Sequence, residues 1–315
     1  MPKPIALLLL NWNTPVHTSN CISSLLAHCD TSLFDIIVAD NGSTDDSLAR
    51  LKSQFPTLTY LDNKENLGFA EGNNKAIQYS IRNGYTYSLI MNNDTEVEED
   101  LVSGLFSHLQ SYPKIAAVQP AIYWLHNKVK LWNGKGTFSP FTGNVNSNKT
   151  TPSSKDLHQK AAWLTGCCML VRNTVLEQVG LFNSQFFLYY EDVELSLRIR
   201  KAGLDLHYLP QVKLYHEAGV SGQLSTNEKE GTLSPIIHYY VSRNHIWLLR
   251  RFGNPLFYPV MLLYNAPYYL GVLCYFLLRG RHKKAKFLIN GIKEGFLTPE
   301  KVIWPKLKHS TAINP

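Results

Sequence analysis

The sequence predicts an α/β fold in which a mostly parallel β-sheet carries helices on both faces. In the first 120 residues, short apolar runs alternate with segments of helical spacing. Several of these runs end in asparagine or aspartate, as strands do where a ligand binds beyond the carboxyl edge of a sheet. A chain of 315 residues with 44% hydrophobic residues is also large enough for such a domain and an appendage.

The individual elements follow in order along this first half. Strands are expected over 5–10, 35–39, 58–61, 87–91 and 115–119, and helices over 19–27, 45–55, 69–82 and 98–109. Asn11, Asp40 and Asn92 each follow a predicted strand. Because parallel strands present their carboxyl ends at one edge, these polar tips should lie close together.

The second half is less regular. Residues 126–160 are rich in polar residues and glycine, which predicts a hairpin over 131–138 and a flexible loop that acts as a lid. A strand over 163–171 and a helix over 174–179 are expected next. The stretch FFLYYEDVELSLRIRKAG then predicts a helix with an acidic start and Gly203 just beyond its end.

Each polar cluster has an ordinary interpretation and a functional one. DNGSTDDS, which begins at Asp40, is either a helix-capping turn or a site for a base or ribose. In ENLGFAEGNN, glycines allow close backbone approach, and the helix N-terminus favours phosphate. Asn92-Asn93-Asp94 is either a solvated turn or a site for Mg²⁺ or Mn²⁺.

Two further clusters lie in the second half. Glu191 and Asp192 begin a predicted helix, where acidic residues are common. The aromatic residues just before them favour a second interpretation, in which a desolvated carboxylate becomes more basic. His216 follows a strand-like run and is either structural or functional.

Six motifs in fixed order resemble glycosyltransferase family 2, and in particular its rhamnosyltransferase-like branch of cell-surface polysaccharide enzymes. They are DNGSTDDS, ENLGFAEGNN, LIMNNDT, GCCMLVR, FFLYYEDVELSLRIRKAG and VKLYHEAGVS. The resemblance covers about residues 5–250 and implies a GT-A fold, the Rossmann-like fold of nucleotide-diphospho-sugar transferases. It also implies an inverting transfer from a nucleotide-sugar, dTDP- or UDP-linked, to a saccharide or lipid-linked acceptor, with Mg²⁺ or Mn²⁺ as cofactor.

The resemblance assigns roles position by position. It implies nucleotide or donor contacts at Asn11, Asp40, Asn66, Gly68, Asn73, Asn92 and Asn93. Asp94 and His216 would hold the metal, and Asp192 would be the general base with Glu191 beside it. One departure is that Asn92 stands where the Asp-x-Asp motif of the family has its first aspartate, which removes one negative charge from the metal site.

The charge distribution points to a membrane surface. The net charge is +7, and basic residues flank the uncharged run 252–278 at 250–251 and 279–286. Tyrosines within the run and cations beside it favour an interfacial segment on an anionic membrane, with a dimer or core contact and a full span as alternatives. No module that reads nucleic acid is apparent, so nucleic acid is not an expected partner.

Five cysteines without a C-x-x-C pair favour a reducing compartment, and the apolar N-terminus is interpreted as a strand and not as an export signal. We therefore expect a cytoplasmic protein, peripheral on the inner face of the membrane. The expected units are a transferase domain over 1–250, with halves 1–120 and 121–250, and a membrane-associating tail over 251–315. A nucleotidyltransferase, a non-catalytic nucleotide-sugar-binding protein and a homodimer remain open at this point.

Overall fold

The computed structural model describes residues 3–152, 157–219 and 230–304. Its strands are β1 (Ile5–Asn11), β2 (Phe34–Asp40), β3 (Thr59–Asp62), β4 (Tyr87–Asn92), β5 (Thr95–Glu96), β6 (Ile115–Trp124), β7 (Asn127–Asn133), β8 (Gly136–Phe138), β9 (Val145–Ser147), β10 (Gln159–Lys160), β11 (Cys168–Arg172) and β12 (Asp205–His216). Its helices are α1 (Pro15–His28), α2 (Ser47–Gln54), α3 (Gly68–Arg82), α4 (Leu101–Ser111), α5 (Asn173–Val179), α6 (Glu191–Lys201), α7 (Pro235–Phe252), α8 (Tyr258–Leu278), α9 (His282–Leu297) and α10 (Glu300–Ile303).

The central sheet has the strand order β10-β12-β6-β11-β4-β1-β2-β3. The four strands β4, β1, β2 and β3 are parallel neighbours, as the sequence predicts. Strand β11 lies antiparallel between β4 and β6, and β6 pairs in parallel with β12. The register places Asn11 opposite Asp40, and Leu10 opposite Asn92. The expected gathering of polar strand tips at one edge is therefore confirmed.

Both faces of the sheet are covered, which explains why its strands are almost continuously apolar. Alternate residues of β1 enter different cores. Leu7 and Leu9 pack with residues of α1 and α4, whereas Ala6 and Leu8 pack with residues of α3, α5 and α6. All four of these side chains are fully buried. The site at the sheet edge is thus supported by a rigid, two-sided core.

Two expectations for the middle of the chain were wrong. Residues 131–138 do not form a hairpin, because β7 pairs with β6 while β8 pairs with β9 in a separate two-stranded sheet. The chain leaves the main sheet at Gly136, where a side chain would collide with the Trp163 backbone. The strand expected from Trp163 begins only at Cys168, and the preceding turn contacts the site instead. Residues 153–156 of the expected lid lie outside the described residues.

Residues 258–278 of the uncharged run form one long helix, α8, although they include two prolines and a glycine. Pro259 lies in the first turn of α8, where no intrahelical N–H bond is lost. Pro267 is tolerated inside the helix. Within the described residues, Pro255–Leu278 is the one helical stretch that is long and apolar enough to cross a membrane, and only 17% of its apolar window is buried. Most of its apolar surface is therefore not covered by the described chain.

Candidate active site

The first part of the site is a polar cluster at the ends of β1 and β2. Asp40 accepts hydrogen bonds from Asn11 Nδ2 at 2.8 Å and from the Ser43 backbone N–H at 2.9 Å. Asn11 is fully buried, and its Oδ1 accepts from the Thr18 hydroxyl at 2.8 Å. Asn11 therefore orients Asp40 from inside the fold, and its own contact with a nucleotide stays a prediction. An open groove of about 520 Å³ runs past Asp40, between residues 42–52, which follow β2, and the end of β3 at Asp62.

The N-terminus of α3 differs from the expected phosphate site. The backbone N–H groups of Phe69 and Ala70 donate to the Phe187 carbonyl, at 2.7 and 3.2 Å. Gly68 has a φ of 74°, and a side chain there would collide with Phe187. The close approach that this glycine permits is therefore to another part of the chain, and its contact with a nucleotide stays a prediction.

The two asparagines predicted beside this helix occupy different positions. Asn73 is 1% exposed, and its Nδ2 donates to the Phe69 carbonyl at 2.9 Å. It thus braces α3, and its contact with a nucleotide also stays a prediction. Asn66 is exposed, and its Oδ1 accepts from Asn41 Nδ2 and from the Gly68 N–H. Asn66 remains available to a ligand at the rim.

Asp94 and His216, called here the metal pair, meet at the ends of β4 and β12. His216 Nε2 lies 3.0 Å from Asp94 Oδ1 and 3.4 Å from Asn92 Nδ2. The side chains of His216 and Asp94 are 4% and 10% exposed, respectively. The edge of the Trp132 ring packs against the His216 ring with centroids 4.4 Å apart, which fixes the imidazole.

The metal pair fits a divalent ion. In an octahedral complex with bonds of about 2.1 Å, adjacent ligand atoms lie about 3.0 Å apart, the spacing seen between the facing imidazole nitrogen and carboxylate oxygen. No third His, Cys, Asp or Glu in the described ranges joins them to form a complete cage. An ion held here would need further oxygen ligands, as from a diphosphate. Asn93 faces away, since its Nδ2 donates to the Thr14 and Thr18 hydroxyls.

Asp192 and Glu191 lie at the start of α6 in different environments. Asp192 is half-buried and accepts from the N–H groups of Gly166 at 3.0 Å and Val193 at 2.7 Å. Glu191 is 5% exposed, and its Oε2 has no hydrogen-bond partner within the described chain. Burial raises the pKa of both carboxyls, and the Asp192 charge raises the pKa of Glu191 further. The backbone donors stabilise charge on Asp192, so the proton resides on Glu191 and the anion on Asp192.

A two-residue turn joins Asn92, which neighbours the metal pair, to this carboxylate. Gly166 donates to Asp192, and the next residue, Cys167, accepts from the Asn92 N–H at 2.9 Å. A side chain at Gly166 would press against the Phe69 ring and lie 3.5 Å from Cβ of Asp192. The charges of Asp94 and Asp192 both contribute, after burial, to a raised pKa of the Cys167 thiol. The predicted base and metal residues thus lie on either side of one turn.

Several residues of this arrangement were not anticipated as site residues. Thr14 and Thr18 hold Asn93, and Asn41 ties Asn66 to Gly68. More distant in sequence, Asn244 of α7 contacts the segment before α6. A signal for this last contact does exist, because Ser242-Arg243-Asn244-His245 places four polar residues in an apolar helical pattern.

Comparison with known proteins gives a consistent family match. The sequence model of glycosyl transferase family 2 matches residues 12–180. The chain is 28% identical over 213 residues to the N-acetylglucosaminyl-diphospho-decaprenol L-rhamnosyltransferase of Mycobacterium tuberculosis, covering 60% of this chain and 68% of that protein. It is 27% identical over 204 residues to rhamnosyltransferase WbbL of Escherichia coli K12, covering 61% of this chain and 75% of that protein.

Solved structures support the fold. A mannosyltransferase from Pyrobaculum calidifontis, in complex with GDP-Man and Mn²⁺, superimposes with a TM-score of 0.56 at 14% identity, covering 95% of this chain and 90% of that one. GalNAc-T7, with UDP, GalNAc and Mn²⁺, gives a TM-score of 0.62 at 12% identity. Here the match covers 79% of this chain but only 48% of that one. At these identities the likeness shows the fold alone, and that fold is GT-A, as the sequence motifs implied.

Proposed function

Because the chain belongs to glycosyl transferase family 2, we propose that it moves a deoxyhexose of the rhamnose type from a dTDP-linked donor to a hydroxyl of a lipid-linked saccharide. The coarser statement is established: the protein is a nucleotide-sugar glycosyltransferase. The family match does not favour a nucleotidyltransferase or a non-catalytic binding protein. The observation that supports the catalytic part of the proposal is the turn at Gly166-Cys167, which is hydrogen-bonded to Asp192 on one side and to Asn92, beside the metal pair, on the other.

The residues divide the chemistry between them. Asp94 and His216 would hold a divalent ion, which when bound would supply positive charge to offset the negative charge of the departing diphosphate. Asp192 accepts the proton of the acceptor hydroxyl while the hydroxyl oxygen bonds to the anomeric carbon. The bond from this carbon to the diphosphate oxygen breaks in the same step, so the configuration inverts. Neutral Glu191 leaves Asp192 as the single anion beside the acceptor.

The role of Asn92 follows from its place next to the metal pair. It lies 3.4 Å from His216 but brings no charge, so the ion depends on Asp94 and His216 for its protein ligands. Its amide is suited to hydrogen-bond a ribose or sugar hydroxyl. We assign Asn92 to the donor and not to the metal. Asp40, fixed by Asn11 and Ser43, is assigned to the base or ribose.

The identity of the donor is proposed on the evidence of the relatives. Besides the two rhamnosyltransferases above, a dTDP-rhamnosyl transferase of Shigella flexneri is 24% identical over 206 residues. We expect dTDP with Mn²⁺ to raise the melting temperature more than UDP or GDP at equal concentration, because ligands that bind only the folded state stabilise it. The Asp94→Ala variant should lose the Mn²⁺-dependent part of this increase. A larger increase with UDP or GDP would refute the dTDP assignment.

We further propose that α8 attaches the protein to an anionic membrane, where a lipid-linked acceptor resides. The helix exposes large apolar side chains, among them Leu263, Leu270 and Leu278 at 75%, 60% and 87%. Exposed basic residues flank it, including Arg279 and Lys283. An apolar surface bordered by cations matches the apolar interior and negative charge of such a membrane.

The attachment can be tested by sedimentation with vesicles that contain anionic lipid. We expect wild-type protein to sediment at low salt and to be partly released at high salt, because the flanking cations are screened. The double variant Leu263→Asp, Leu270→Asp should stay in the supernatant. Val129→Asp is a matched control, since Val129 is 79% exposed on β7, far in sequence from α8. If wild-type protein and both variants all stay in the supernatant with anionic vesicles, the exposed helix has another partner, such as a second copy of the chain.

A further inference from the structure

The segment Phe186–Tyr190, called here the base loop, has an unusual backbone. It leads directly into Glu191 and Asp192 at the start of α6. Phe187, Tyr189 and Tyr190 have φ angles of 61°, 69° and 68°. Bulky residues adopt such values only where the surroundings impose them, and such strain is concentrated at functional sites. The structure around the loop must therefore supply the restraint.

The main restraint is a single side chain of α7. Asn244 is fully buried, and its Nδ2 donates to three carbonyl oxygens of the base loop. The acceptors are Phe186 and Leu188, both at 2.9 Å, and Tyr189 at 2.8 Å. Carbonyl groups that converge on one donor in this way require the turned backbone described above. One amide thus determines the course of the chain immediately before the carboxylates.

A second side chain determines which end of this amide faces the loop. Arg243 Nε donates to Asn244 Oδ1 at 2.9 Å, so the nitrogen of the amide must point the other way. Arg243 Nη2 also donates to the Gln185 carbonyl at 2.8 Å. The guanidinium group itself is held over the Trp247 ring, 4.1 Å from its centroid. Arg243 therefore orients Asn244 and also binds the backbone of Gln185, the residue just before the base loop.

Aromatic contacts from α7 complete the restraint. The Tyr240 ring stacks on Phe187 with centroids 5.1 Å apart, and the His245 ring stacks on Tyr190 at 5.6 Å. His245 Nδ1 is also 2.7 Å from the Tyr269 hydroxyl of α8. The base loop is thus connected through α7 to the helix that we assign to the membrane.

On its opposite side the base loop contacts the nucleotide half. The Phe187 carbonyl caps α3 through Phe69 and Ala70, and the absence of a side chain at Gly68 makes room for it. The loop therefore lies between the predicted donor-binding helix and α7. Its position decides the direction in which α6 starts, and hence where Asp192 points.

We propose that Asn244, oriented by Arg243, is a positioning residue for the general base. It holds the base loop so that Asp192 reaches the Gly166 turn beside the metal pair. This inference rests on the proposed function of Asp192 as base. It assigns to the C-terminal helices a part in the chemistry of the transferase domain, in addition to any role at a membrane.

The test compares two buried asparagines. Asn244→Ala removes the donor to the base loop, and Asn173→Ala is the control. Asn173 is 4% exposed and also donates to a backbone carbonyl, that of Tyr85, but it lies at the opposite end of the sheet. Transfer is measured per folded molecule, with whichever donor proves active in the nucleotide screen. We expect Asn244→Ala to lose about 10²-fold in kcat, as small displacements of a catalytic group do.

Three readouts separate positioning from general stability. Nucleoside diphosphate affinity in Mn²⁺ should stay within about twofold of wild type in both variants, because the base contacts the acceptor. The acid limb of the kcat profile should move to lower pH in Asn244→Ala only, since burial raises the pKa of Asp192 and a displaced loop admits water. Asn244→Gln, which keeps the amide, should recover part of the lost rate.

Two results would overturn the proposal. Equal losses of kcat in Asn244→Ala and Asn173→Ala, with no shift of the acid limb, would reduce Asn244 to a structural residue. Hydrogen exchange over 186–192 tests the loop without any substrate, and unchanged exchange in Asn244→Ala would also overturn the proposal. Failure of the proposed function would appear separately, as wild-type protein that transfers no sugar from any donor tested.

Discussion

The metal pair and the base loop place their carboxylates by different physical means. Asp94 is set by backbone pairing: its carbonyl accepts from the Glu217 N–H at 3.0 Å, and the neighbouring Thr95 pairs with His216 across β5 and β12. Asp192 follows a strained loop that side chains of α7 hold from the outside. The backbone ladder depends little on which side chains it carries. The base loop instead depends on individual groups such as Asn244, so the two regions should respond differently to mutation.

The largest effect is expected at the metal pair. Asp94→Ala should abolish transfer almost completely, a loss of about 10³-fold or more, because a catalytic metal contributes several kcal/mol to transition-state stabilisation. The melting temperature without ligand should change little, since strand pairing and not the carboxylate positions this residue. Both quantities are measured on the same preparation, with and without chelator.

The control for this variant is Glu98→Ala. Glu98 is an exposed acid four residues away that pairs with Lys128. Its loss should leave both transfer and its metal dependence unchanged. Turnover close to wild type in Asp94→Ala would exclude the metal role of this residue.

A smaller loss is expected at the other carboxylate. Asp192→Asn keeps the shape and its contacts to α6 but removes the basicity, which costs about 10²–10⁴ in rate. Nucleotide affinity should be retained. Because burial raises the pKa of Asp192, the wild-type rate should decline, as pH falls, at a higher pH than an ordinary aspartate would give.

Glu191→Gln is the matched comparison for the base. Glu191 is already neutral in our assignment, so its amide should preserve most of the rate. The two positions are adjacent on a helix and point about 100° apart, which means that only one can face the acceptor. An inactive Glu191→Gln alongside an active Asp192→Asn would move the base by one residue.

Much of the metal side could be predicted from the sequence, for the reason just given. Apolar runs that end in Asn11, Asp40 and Asn92 specify strands and their polar tips, and parallel pairing then brings the tips together. What could not be predicted there was the direction of each side chain. The amide groups of Asn11, Asn73 and Asn93 each donate a hydrogen bond within the protein, which their residue type alone did not indicate.

The base loop shows why the rest of the candidate site could not be predicted from the sequence. The acidic motif after it can be recognised in the sequence. The left-handed backbone of Phe187, Tyr189 and Tyr190, however, is unfavourable for residues of this type and requires contacts with α7, which lies far along the chain. The glycine at position 68 was noticed and its partner was not, because Phe187 lies more than a hundred residues away. Local patterns predicted where the carboxylates lie in sequence, whereas long-range contacts decide how they are presented.

The smallest effect is expected in a third region, at the far end of β12. His207 is the third residue of this strand and His216 its last, so at about 3.3 Å per residue the two lie about 30 Å apart. His108 Nε2 of α4 is 2.9 Å from His207 Nδ1, and the His158 ring stacks on His207 at 4.8 Å. Burial, and then the neighbouring imidazoles, lower the pKa of His108 to about 4 and also lower the pKa of His207. Tyr112, Lys160 and Asp205 are the other groups near the cluster.

These lowered pKa values make the cluster a source of acid sensitivity in folding but not in catalysis. The unfolded chain takes up a proton on His108 below about pH 6.5, whereas in the folded protein this histidine resists protonation until about pH 4, so stability is lost progressively as pH falls between the two values. His108→Gln should therefore show a smaller fall in melting temperature than wild type between pH 7 and pH 4.5. His28→Gln, at an exposed histidine, should follow wild type. Transfer per folded molecule at neutral pH should be the same in all three proteins, because neither the metal pair nor the base loop contacts this cluster. If the melting temperatures of His108→Gln and wild type fall in parallel as the pH is lowered, the histidine cluster contributes no pH-dependent stability.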